Sequence, residues 1–177
     1  MKTKVNILRE IPWFGGNYFH PLSFDESAFK MEGCLRAGNS TPMHYHKYFD
    51  EHWTVVKGTP TFVVGKEKFV RRPGETFYAA KNVAHALLND TKEDIILVTE
   101  IRPAADMAKM MAIIAGLHDD KEKYWMFKYL YVEKRAELKE FSTLVSIPIK
   151  LIAAFLLPIT MMIGRFSGWD RLLNKYF

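Results

Sequence analysis

The sequence has a single cysteine, Cys34, among its 177 residues. That excludes an internal disulfide framework and a zinc cluster built from several thiolates, and it fits a reducing compartment. Charge of one sign is also in short supply. Lys and Arg number 25 against 20 Asp and Glu, a net +5. The surplus is spread thinly, +2 over residues 1–103 and +3 over 104–177. Neither part has the concentrated basic stripe needed to neutralise several phosphates, so nucleic acid is not expected as a partner. The opening MKTKVNILREIPW lacks the apolar core of a signal peptide, and a cytoplasmic chain is the expectation. There is no internal repeat and no low-complexity segment. What is present is apolar. Hydrophobic residues make up 49% and aromatic residues 14%, which excludes a disordered chain. The length suits one domain with a short appendage.

The chain reads in three parts. Residues 1–30, with Gly15, Gly16 and Pro21 as breakers, read as a lead-in with a turn and one or two edge strands. Residues 31–103 look strand-rich. Short apolar runs at 53–56, 61–64, 75–78 and 95–98 alternate with turn signals at Gly58-Thr59-Pro60, Gly65-Lys66, Arg72-Pro73-Gly74 and Asn89-Asp90. Such spacing predicts a β-sandwich or barrel, and no helix-length segment separates the runs as a parallel βαβ layout would need. After Pro103 the helix formers Ala, Met, Lys, Glu and Leu take over. One or two helices are expected, with a break at residues 116–120 and Asp119 or Asp120 as a cap. The domain reading is therefore 1–103 for the β part with its lead-in and 104–177 for a helical apolar extension.

Chemistry concentrates around residues 38–58. His44 and His46 are two apart, so on a strand both imidazoles project to one face. Glu51 follows after enough chain for a turn, and His85 lies farther on. Two or three neutral imidazoles with one carboxylate suit a divalent transition metal: Fe, Mn, Ni, Co, Cu or Zn. Four such ligands on an octahedral ion leave positions open for water, O₂ or a chelating substrate. Competing readings stand beside this one. His85 reads alternatively as a core histidine satisfied by backbone. Asp50 rivals Glu51, since a one-residue bulge exchanges their facing. His52 should point outward, and Cys34 reads as a buried, inert thiol.

These residues resemble the first motif of the cupin superfamily, G-x5-H-x-H-x4-E-x6-G, which Gly38, His44, His46, Glu51 and Gly58 match in full. His85 and Asn89 match the closing H-x3-N of the second motif. Ala80 and Asn82 stand where that motif has Pro and Gly, and Asn82 tolerates the left-handed conformation that Gly supplies. The resemblance spans roughly residues 31–103. It implies a small jelly-roll β-barrel with a C-terminal α-helical extension, in which His44, His46, Glu51 and His85 bind one metal.

Alternation extends the site to a pocket. Trp53 should share the inward face of Glu51, and Leu87 and Asn89 that of His85, with Thr76, Tyr78 and Ala80 facing in from the preceding strand. The expected pocket is apolar and aromatic, lined by Trp53, Tyr78, Leu87 and Asn89. It suits a small, partly apolar molecule better than a sugar phosphate. Glu51 and Tyr78 are the candidates for moving protons. The function expected is dioxygenase-like chemistry or, alternatively, non-catalytic ligand binding or sensing. A structural, membrane-associated role is the third possibility. Residues 141–164 carry one charge, Lys150, and two prolines, Pro148 and Pro158, expected to break the stretch into short helices. Trp125, Trp169, Tyr176 and Phe177 flank it together with Lys139, Arg165, Arg171 and Lys175. The segment reads as packing on the barrel or on the second subunit of a homodimer, as contact with a membrane surface, or as a span.

Overall fold

The structure, a computed structural model, describes residues 5–139 and 142–176. The expected start of the apolar stretch at Phe141, and Phe177, lie outside the described residues. Among the described residues, eleven strands form two antiparallel sheets. The first takes β1 (Ile11–Pro12), β2 (Tyr18–Phe24), β3 (Phe29–Leu35), β10 (Ile95–Arg102), β5 (Asp50–Lys57) and β8 (Thr76–Ala79), in that order. The second takes β11 (Thr143–Leu144), β4 (His44–Tyr45), β9 (His85–Leu88), β6 (Thr61–Val64) and β7 (Glu67–Val70). This is the expected jelly-roll architecture with one correction. Among the described residues no strand of one sheet pairs with the other, so the sheets face each other without closing into a barrel.

The alternation that marks strands in the sequence is what folds them. In β5, Glu51, Trp53 and Val55 are buried while His52, Thr54 and Val56 are exposed. In β10, Ile95, Leu97, Thr99 and Ile101 point inward. Of these, Trp53, Val55, Ile95 and Leu97 form one buried cluster with Leu35, Phe62 and Ala79. Burying each large apolar side chain contributes roughly 1.5–3 kcal/mol. Gly58, at φ 81°, ends β5 in a conformation that side chains resist, and a Cβ there would lie 2.9 Å from Ile95 Cγ1.

Four helices follow: α1 (Met107–Asp119), α2 (Trp125–Arg135), α3 (Ile147–Phe166) and α4 (Arg171–Tyr176). The break expected at residues 116–120 lies later, since α1 continues through Asp119 and α2 begins at Trp125, and neither Asp119 nor Asp120 caps α2. Its N-cap is Tyr124, in a left-handed conformation and without a side-chain cap. Asp120 instead accepts from Tyr176 and pairs with Lys175, which ties α4 to the end of α1. Met107, Met110, Met111, Ile114 and Leu117 of α1 join Ile11, Phe29, Met31, Phe49 and Ile101 of the β part in one buried cluster. Pro148 and Pro158 do not divide α3, which is continuous. Pro148 sits in the first turn, where the missing N–H has no intrahelical partner to lose. Among the described residues, no helix is long and apolar enough to cross a membrane.

Candidate metal centre

Three histidines arrive from the five-stranded side and one carboxylate from the six-stranded sheet. His44 lies on β4 and pairs directly with His85 on β9. His46 follows β4, and its ring stacks on Phe49 at 4.4 Å. The His46 carbonyl accepts from the N–H of Asn82 at 2.7 Å, and Asn82 holds the left-handed φ of 65° that its residue type anticipates. Glu51 comes from β5, on the opposite sheet. The four side chains converge, with one donor atom from each within 4.8 Å of the others. His46, Glu51 and His85 are buried, and His44 is partly exposed.

The hydrogen bonding orients these groups. His44 Nδ1 lies 2.7 Å from the Pro42 carbonyl, and His85 Nδ1 lies 2.9 Å from that of Val83. A carbonyl only accepts, so each Nδ1 carries the proton and each Nε2 is left with its lone pair. Such backbone contacts fix the tautomer and the ring plane, as they do for metal-ligating histidines generally. Burial lowers the His44 imidazole to about 4, leaving it neutral near pH 7. Burial alone would raise the Glu51 carboxyl, but the imidazoles of His46 and His85 outweigh it and hold the group low, as an anion. Glu51 Oε2 lies 2.6 Å from His46 Nε2 and 3.2 Å from His85 Nε2. These nitrogens and the carboxylate oxygen are donor atoms that a cation can share. Three imidazoles and one carboxylate are a donor set suited to a borderline divalent ion. The residues fit a metal.

A cavity of about 390 Å³ opens beside the cluster, touching His44, Glu51 and His85. Trp53 and Leu87 line it, as the sequence predicts, together with Phe62, Met31 and Phe19. Glu51 is the one carboxylate among the described lining residues. Trp13 and Phe14 from the lead-in also line the cavity, and Phe14 stacks on Trp125 at 5.1 Å. Ser142, just before β11, is a lining residue too. Sequence reasoning missed these three, because they reach the cavity through long-range packing that no local pattern announces.

Two expected pocket residues lie elsewhere. Tyr78 is on the outer face of β8, 50% exposed, with its ring 4.5 Å from His52. Trp53 pairs with Phe77, so Phe77 and Ala79 face inward and Thr76 and Tyr78 outward. Tyr78 therefore cannot hand a proton to anything in the cavity. Asn89 is buried but turned away from the cavity. Strand β9 ends at Leu88, and the Asn89 amide bonds the Leu35 and Glu93 carbonyls at 2.9 and 2.8 Å. Asp50 accepts from the Lys81 N–H at 2.8 Å and takes no part in the cluster. His52 is exposed, as expected, and Cys34 is buried, with desolvation raising its thiol.

Residues 31–100 match the family described as "Cupin domain". The chain is similar to KdgF from Halomonas sp., at 19% identity and a TM-score of 0.50, covering 52% of this chain and 84% of that one. It is also similar to an RmlC-like cupin from Shewanella frigidimarina, at 20% identity and a TM-score of 0.50, covering 57% and 86%. At such identities the likeness speaks for the fold. None of the curated proteins matches the chain.

Proposed function

Since the chain is a cupin-superfamily protein, we propose that it is a metal-binding cupin acting on a small, largely apolar molecule held in the cavity between its sheets. One observation carries the reading: four ligand-type side chains from two facing sheets converge beside an apolar cavity. His44, His46, Glu51 and His85 would hold a divalent transition metal. Bound there, the ion would supply Lewis-acid chemistry or, if redox-active, dioxygenase-like chemistry.

The chain's own residues do the rest. The contacts of Nδ1 with the Pro42 and Val83 carbonyls hold the His44 and His85 rings in place. Trp53, Phe62 and Leu87 exclude water and select an apolar ligand by shape. Glu51 is the acid–base group in reach, so proton movement falls to its carboxylate oxygens. The absence of a second carboxylate among the described lining residues also favours a non-catalytic ligand binder over an enzyme that needs a separate acid and base.

The test is elemental analysis of tag-free protein purified with and without His44→Ala. A stoichiometric divalent metal in the parent chain and its loss in the variant is the expected result. Full metal content in the variant, or a parent chain that takes up no metal on reconstitution, overturns the reading. Oxygen consumption by the loaded protein across small aromatic and aliphatic acids then separates turnover from binding.

A further inference from the structure

We propose that the first half of α3 inserts into an anionic lipid surface and anchors the protein there. Residues 150–156, Lys150 to Leu156, are all exposed. Seven successive residues at 100° steps cover every direction around a helix axis, so no side of this stretch is buried against the protein. Yet it is apolar throughout except for Lys150. Leu151 is 67% exposed and Phe155 70%. A helix that is apolar all round belongs inside something. Buried positions appear in the second half, at Thr160 and Gly164.

The shape of the exposure selects the occupant. A second copy of the chain would cover one stripe of the helix and leave the opposite stripe wet. A lipid phase surrounds the helix and satisfies all directions at once. Charge points the same way. From Ser142 to Trp169 there is no acidic residue, and the charged residues are Lys150 and Arg165, both exposed. The stretch from Lys150 to Leu156 is about 10 Å long at 1.5 Å per residue, a third of a bilayer's hydrocarbon thickness. It therefore enters one leaflet and does not span. Lys150, one turn from the start of α3, can extend its ammonium back to the headgroups.

The full chain is tested by co-sedimentation with vesicles of phosphatidylcholine alone and of an equal mixture of phosphatidylcholine and phosphatidylglycerol. The parent chain is expected in the pellet with the mixed vesicles, less so with phosphatidylcholine or added salt. The double variant Leu151→Asp/Phe155→Asp should partition about a hundredfold less, from the loss of two large apolar side chains. Its metal content and far-UV circular dichroism should match the parent. A second variant, Phe155→Trp, keeps the surface apolar, and its added emission should shift to the blue on mixed vesicles. A parent chain that stays in the supernatant, an aspartate variant that binds equally well, or an unshifted tryptophan overturns the proposal. A stable dimer that Phe155→Asp dissociates, without vesicle binding, assigns the helix to a second copy and overturns it too.

Discussion

Asn82 bears on both stability and the candidate site. At φ 65° it occupies a conformation that disfavours a Cβ, and its N–H holds the carbonyl of His46. Asn82→Ala is expected to cost roughly 1–2 kcal/mol, while Asn82→Gly should be close to neutral, as read by urea denaturation. Asn89 makes the complementary case. Its amide satisfies two carbonyls, those of Leu35 and Glu93, so Asn89→Ala should destabilise by about 1–3 kcal/mol with metal content unchanged. Loss of metal at unchanged stability would instead place Asn89 at the site. His44 and His46 were legible in the sequence because spacing on a strand puts both on one side, whereas Glu51 over Asp50, and His85 as their companion, followed from the resemblance to the cupin motifs. Tyr78 was misread because Phe77 and Tyr78 are both aromatic, so β8 in isolation does not reveal its inward face. Pairing with β5 decides that, and pairing is a long-range property. For Asn89 the alternation was extended one residue past the strand's end.

Elements are held by contacts that the sequence shows only in part. Strand β11 was not anticipated. Two residues within a segment that reads as helical add an edge to the second sheet, pairing Leu144 with His44 and Thr143 with Tyr45. The extension is thereby laced to the strand that carries a candidate ligand. The two prolines predict a broken segment, yet helix α3 is continuous. Pro148 costs little in a first turn, and Pro158 lies near where the free half of the helix gives way to the packed half. The packed half depends on Gly164. A Cβ there would lie 2.3 Å from Tyr131 Cδ2, and Tyr131 is 1% exposed and bonded through its hydroxyl to Asp170, so it has little room to move. Gly164→Ala should therefore destabilise by about 1–3 kcal/mol, measured by chemical denaturation. The substitution lies where α3 meets α2, away from the histidine cluster, so metal content should persist. An unchanged midpoint would mean that the helix is free to shift off Tyr131.

At the scale of the molecule, the candidate site joins two sheets that share no strand pairing among the described residues. His44 and His85 belong to one sheet and Glu51 to the other, so an ion held by all of them would link the layers through direct bonds. Unfolding separates the layers, and a ligand that binds only the folded form stabilises it in proportion to the logarithm of its concentration over its dissociation constant. At a hundredfold excess over that constant the gain is about 2.7 kcal/mol. For a chain of this size that corresponds to a rise in Tm of roughly 5–10 °C. Scanning calorimetry of the full chain, chelator-treated against metal-replete, should show that separation. Glu51→Gln keeps the side-chain volume but weakens the carboxylate's hold on a cation, so the two scans should draw together. Equal Tm values for the parent with and without metal would mean that no ion links the sheets. The cavity would then be a ligand pocket lined in part by histidines.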